Sequence, residues 1–164
     1  MTSQAQTKPP RLGEHWPEQG GIFIALCPGQ NGQPDYHLIA PTDPRALLIN
    51  VKWGKRGKDI LGARSDWDGV ANTHAMAENG SDLAQKIMAL DIDGHRDLYL
   101  PARHELRLIK LVAPQLIVDD WHWSSTQYSA SPRGFRTSML AASSSSSRAA
   151  SFALAQSADS SVLH

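Results

Sequence analysis

Six consecutive apolar positions, Ile22-Phe23-Ile24-Ala25-Leu26-Cys27, follow Gly20-Gly21 and close on Pro28-Gly29. An apolar run this short, bounded by glycine and proline, predicts a strand. The turn-rich residues 29–34 follow, then a second extended stretch at 36–40, so the pair reads as a β-hairpin. Residues 46–51 give a third strand candidate, and Gly54, Gly57 and Gly62 then punctuate a loop. Asn72-Thr73 opens a helical pattern that Asn79-Gly80 interrupts, and either residue offers an N-cap. Ser81 caps a second segment, in which Leu83, Ile87 and Leu90 recur at helical spacing. Leu98-Tyr99-Leu100-Pro101 is a brief extended piece. In the next helix Leu106, Ile109 and Val112 line one face, flanked by Leu108 and Leu111, while Arg103, Arg107 and Lys110 lie elsewhere. Pro114 stops it. Residues 121–128, rich in aromatics and hydroxyls, read as a strand or ordered loop beside a core.

Composition narrows the class. The chain has 164 residues, of which 41% are hydrophobic and 20% charged, enough for one domain of ordinary size. Lys+Arg and Asp+Glu both number 16, and a formal net charge of zero argues against nucleic-acid binding by bulk charge and against a polybasic membrane anchor. The single cysteine, Cys27, excludes a disulfide within the chain and a cysteine-based zinc site. No apolar run approaches the roughly 20 residues that span a bilayer. The N-terminus has no apolar signal region, so a soluble protein made in the cytoplasm is expected, with carriage on a virion as the alternative.

Residues 1–12 are polar with Pro9-Pro10 and read as a flexible lead-in, and residues 13–136 as the folded domain. Composition changes abruptly over residues 137–164, which hold ten Ser and seven Ala. Arg148 and Asp159 are their only Asp, Glu, Lys or Arg residues, and Phe152 is their one Phe, Trp or Tyr. So little apolar bulk does not offset chain entropy, and the expectation is a disordered or loosely helical tail.

Several segments together resemble a known family. They are Gly20-Gly21-Ile22-Phe23, Trp53-Gly54, Asp68-Gly69-Val70-Ala71-Asn72-Thr73, Asp97-Leu98-Tyr99-Leu100-Pro101, Glu105-Leu106 and Trp123-Ser124-Ser125-Thr126-Gln127-Tyr128-Ser129. In that order and rough spacing, over about residues 13–130, they are similar to the Lcl C-terminal-like domain of bacterial surface and phage or prophage proteins. The resemblance implies an α+β, C-type-lectin-like fold with two helices, a small mixed or antiparallel sheet and much irregular loop. It implies binding rather than catalysis, in adhesion or host recognition. The residues fit such a reading: Asp68-Gly69 suits a tight turn, and Glu105 can reach back to free amides at its helix start. Ala102 stands where the family usually places Ser, which leaves half of a capping box.

The family ends in an Arg-rich segment that this chain lacks. Codons for residues 151–160 can be written so that the next frame, starting at the last base of the Ser151 codon, gives Val-Arg-Ala-Arg-Ala-Val-Arg-Arg-Phe. In the same frame residues 135–140 can give Phe-Ser-Tyr-Phe-Asp-Ala. A frameshift near residues 131–135 is the reading adopted; codons incompatible with that frame would end it, and a genuine low-complexity linker is the alternative.

Candidate chemistry is sparse. His104-Glu105-Leu106-Arg107-Leu108 opens like a zinc-protease motif but lacks the second His. Asp66 with Asp68, or Asp91, Asp93 and Asp97, offer hard oxygens for calcium, against solvated turn carboxylates as the plainer reading. Asp119-Asp120 point apart in an extended chain and make a poor catalytic pair. Lys52, Lys55, Arg56 and Lys58 beside Trp53 form a basic cluster able to meet an anion. His122, between two tryptophans, is expected on the exposed face. No catalytic residue, metal site or cofactor is assigned.

The expected function is a non-enzymatic binding module for a glycan or a host surface protein, with no nucleic-acid or membrane partner. Its ligand surface is assigned to Trp121, Trp123, Ser125, Thr126, Gln127 and Tyr128, with Trp53 nearby, because rings stack on sugar faces and hydroxyls bond their rims. The plainer reading makes Trp123 a core anchor and the hydroxyls partners of backbone groups. The alternatives are an intracellular phage protein that binds a host factor, a decayed gene product, and an oxidase-like enzyme on the same fold, for which Cys27 lacks a partner.

Overall fold

A computed structural model of the chain describes residues 8–55, 57–117, 122–127, 142–143, 149–150 and 154–157. Strand β1 (His15–Trp16) pairs antiparallel with β2 (Gly21–Cys27), and β2 pairs antiparallel with β3 (Tyr36–Pro41). The hairpin is built where the apolar run and the intervening turn place it. Ile22 and Ile24 pack into the main core with Leu38 and Ala40. Phe23 points the other way and buries with Trp16 and Ile39. There the Trp16 and Phe23 rings meet edge to face at 5.7 Å, with His37 in edge contact with both. A register shift between Phe23 and Ala25 marks a bulge. Gly21 is required by close approach: a Cβ there would overlap the Ala40 carbonyl.

The helices begin and end at identifiable caps. Helix α1 (Gly69–Glu78) is capped by Asp68, whose carboxylate accepts the Ala71 amide at 2.8 Å. Asn72 and Thr73, expected as caps, lie instead inside the helix and are buried. Asn79 closes α1, and Gly80, at φ +80°, turns the chain out of it. Ser81 caps α2 (Asp82–Met88) as its position suggested, accepting the Ala84 amide at 3.4 Å. Helix α3 (Arg103–Val112) buries Glu105, Leu106 and Ile109 and leaves Arg107 and Lys110 in water. The Glu105 carboxylate reaches back to the Ala102 amide at 2.7 Å, so half a capping box holds its start. Pro114 ends it and opens a short 3-10 turn, Pro114–Leu116.

The architecture is α+β, with three α-helices among the described residues where the family resemblance implied two. The extra one arises because Asn79-Gly80 and the Ser81 cap divide one helical stretch. Strand β4 (Leu47–Val51) stands off the hairpin sheet, and β5 (Leu98–Tyr99) forms its far edge. Of residues 137–164, expected as a disordered or loosely helical tail, the described pieces are short strands. β6 (Ala142–Ser143) pairs antiparallel with β3 and β5, giving the order β1-β2-β3-β6-β5, and β7 (Ala149–Ala150) runs parallel to β3. β8 (Leu154–Ser157) pairs in parallel with β4. The physical reason is that ladder bonds use main-chain groups, which a serine- and alanine-rich segment has in full.

Candidate functional site

Three of the segments quoted for the family resemblance, at Trp53, at Asn72 and at residues 123–127, converge on one hydrogen-bond network. Its centre is the segment Trp123-Ser124-Ser125-Thr126-Gln127, and its client is the irregular stretch of residues 52–68. Gln127 makes three bonds to that stretch. Its side-chain oxygen accepts the Ile60 amide at 2.7 Å, its side-chain amide donates to the Lys58 carbonyl at 2.7 Å, and its backbone N–H donates to the Ala63 carbonyl at 2.6 Å. The Thr126 hydroxyl donates to the Ser65 carbonyl at 2.7 Å and accepts the Arg103 amide at 3.0 Å, so one oxygen ties the loop to the start of α3. The Ser125 backbone donates to the Pro101 carbonyl at 2.7 Å. From α1, the Asn72 side-chain amide donates to the Ser65 carbonyl at 2.7 Å and to the Ser125 hydroxyl at 3.2 Å, and its oxygen accepts the Ser65 amide at 3.0 Å. The two indoles fix the loop's other end: Trp53 donates to the Ser124 carbonyl at 2.7 Å and Trp123 to the Val51 carbonyl at 2.9 Å.

This placement corrects the expected ligand surface. Trp53, Ser125, Thr126 and Gln127 are buried, and their polar atoms are spent on backbone and side-chain partners inside the protein. Each bond satisfies a group whose orphaning would cost ~1–3 kcal/mol. Trp123 is half-buried with its indole nitrogen committed to Val51. Trp121 and Tyr128 lie outside the described residues, as do Asp119, Asp120 and Arg56. His122, expected on the exposed face, is buried, because residues 122–127 run as irregular chain rather than as an alternating strand. Burial also removes Trp53 from the basic cluster, in which Lys52 and Lys55 point to solvent and Lys58 donates to the Asn79 carbonyl at 2.5 Å.

The acidic residues weighed for calcium are used locally. Asp68 caps α1, Asp66 pairs with Arg103 at 2.6 Å, and Asp91 binds the Gly94 amide at 3.0 Å and Arg96 at 2.7 Å in a tight turn. Among the described residues no cluster of three metal-ligating side chains occurs.

A second group was not foreseen. Glu105 is 1% exposed, and one of its oxygens accepts both the Tyr36 and Tyr99 hydroxyls, each at 2.5 Å. Cys27 lies beside the group, directly opposite Tyr36 in the β2–β3 ladder. Burial pushes the Glu105 carboxyl up to about 7 against the pull of three donors, with Asp68 adding to the rise. Burial, and then the neighbouring carboxylate, push the Cys27 thiol up to about 12. A thiol held that high is a poor nucleophile. Both tyrosines are raised by burial and by Glu105. Glu105 was legible as a helix-start residue, but Tyr36 lies 69 positions away and carries no local signal.

The exposed aromatic of this region is also one the sequence did not single out. Trp67 stacks on His104 with ring centroids 4.0 Å apart and planes 8° from parallel, and it remains 45% exposed. Its signal was the position between Asp66 and the Asp68 cap, on a segment that cannot be core strand or helix.

Comparison with protein-family models, with curated proteins and with solved structures finds no match for this chain. No helix among the described residues is long and apolar enough to cross a membrane.

Proposed function

We propose that the chain is a non-enzymatic recognition module of phage or prophage type, with a C-type-lectin-like scaffold akin to the Lcl C-terminal-like domain, that binds a glycan or a host surface protein. One observation carries this reading. Gln127, Thr126 and Asn72, from two of the motifs of the resemblance, hold the irregular stretch of residues 52–68 against α1 and α3. A fold that commits so many side chains to fixing a loop is a scaffold for displaying it, since binding loops act best when positioned by rigid supports. The raised, buried Cys27 speaks against thiol chemistry of the oxidase kind. The serine-rich ending is ascribed to a change of frame.

The labelled full chain, applied to a glycan array and in parallel to cell-envelope and cytosolic extracts, tests this reading. Saturable binding to a glycan or an envelope protein is expected. Retention of a cytosolic factor alone would replace recognition at a surface by an intracellular role.

A further inference from the structure

We propose that Trp67, laid on His104 beside the Arg103–Asp66 ion pair, is a stacking platform for a neutral pyranose ring. This assignment rests on the recognition reading above and gives it a place and a ligand class.

The platform is built before any ligand arrives. The Asp66 carbonyl accepts the His104 amide at 2.9 Å, and the Asp66 carboxylate binds Arg103 at 2.6 Å, so the residue before Trp67 is pinned twice to the first turn of α3. On the other side, Asp68 is fixed as the α1 cap. The Ser65 hydroxyl accepts the amides of Trp67 at 3.2 Å and Asp68 at 2.9 Å, and Ser65 is itself held by Asn72 and Thr126. Trp67 therefore has its backbone locked on both flanks and one ring face covered by imidazole, while 45% of the residue stays in water. Scattered exposed apolar side chains are ordinary. An exposed indole held by this much fixed structure has already lost most of the freedom that binding would otherwise remove.

The surroundings choose the ligand. The apolar C–H face of a hexopyranose fits a flat indole, and its equatorial hydroxyls need donors and acceptors at the rim. Arg103 and Asp66, both side chains 32% exposed, are the immediate sequence neighbours of the two stacked rings and supply one of each kind. A protein partner would need ~800 Å² on this side. Trp67 stands between Asp66 and Asp68 in the chain, and Asp66 is paired with Arg103. A neutral sugar fits better than an anionic one, because Trp67 has an acidic residue on each side in the chain, Asp66 and Asp68.

The test uses the full chain on an array of neutral gluco-, galacto- and manno-configured oligosaccharides, followed by titration of the best binder. Trp67→Ala is expected to weaken binding about tenfold or more, one aromatic stack's worth. Trp67→Phe, which keeps a ring, should stay within several-fold of the parent, and Asp66→Asn should fall between. Equal binding by the parent and Trp67→Ala would overturn the platform. So would the absence of any binding on the array, and if an envelope protein is then retained, the recognition reading survives while the sugar assignment falls. Should Trp67→Ala not fold, the order Asp66→Asn weaker than Trp67→Phe decides the matter, and the reverse order contradicts the proposal.

Discussion

At the scale of single residues, Glu105 shows how burial and hydrogen bonding compete. Its carboxylate receives two tyrosine hydroxyls and one backbone amide, all of which favour the charged form. Desolvation outweighs them and holds the group up to about 7. The folded protein therefore binds this proton more tightly than the unfolded chain, whose carboxyl titrates near the ordinary ~4.3. The stabilisation from this group is complete below about pH 4, declines as pH rises through the interval up to about 7, and is gone above it. Glu105→Gln removes the titration while keeping the shape. Urea unfolding at pH 5 and pH 8 should show the parent losing about 2–3 kcal/mol more than the variant across that interval. Parallel losses in the two proteins would contradict the assignment.

At the scale of elements, the starts of α1 and α3 meet around one glycine. A Cβ on Gly69 would overlap the Glu105 carboxylate, the Tyr99 ring and the Ala102 amide together. Gly69→Ala should lower stability by about 2–3 kcal/mol, as overpacking of a closed site does. Gly54→Ala, where a Cβ meets nothing within 4 Å, should change little. Thermal unfolding of both variants checks this, and equal midpoints would refute the close approach. This pair also marks where the sequence was legible. Ser81 announces a cap and Pro114 a stop by their own chemistry, whereas Asp68-Gly69, which suited a tight turn, instead caps and opens α1. What Gly69 touches is set by residues some 30 positions away in the fold, for which no local pattern exists. The β2–β3 hairpin was legible because a bounded apolar run and a turn act over neighbouring residues. The partner of β4 was not, since β8 lies more than 100 residues later in a segment without strand-like side chains.

At the scale of the whole molecule, the sheet and helices are ordinary in size, and what distinguishes the chain is the fixed irregular stretch between them. The sequence identified the motif that fixes it, Trp123 to Gln127, but assigned those side chains to a ligand. Hydroxyl, amide and indole groups serve an external sugar and an internal backbone by the same bonds, so residue type alone cannot tell the two apart; burial can. The proposed recognition surface is therefore placed on what the clasp holds, where Trp67 is exposed. The most direct measurement of this account is amide hydrogen exchange on the parent and on Gln127→Ala. The Gln127 side chain satisfies both the Ile60 amide and the Lys58 carbonyl. The account predicts that protection at Ile60 and through residues 58–65 collapses in the variant, while the β2–β3 hairpin keeps its own. Unchanged protection of residues 58–65 would contradict it.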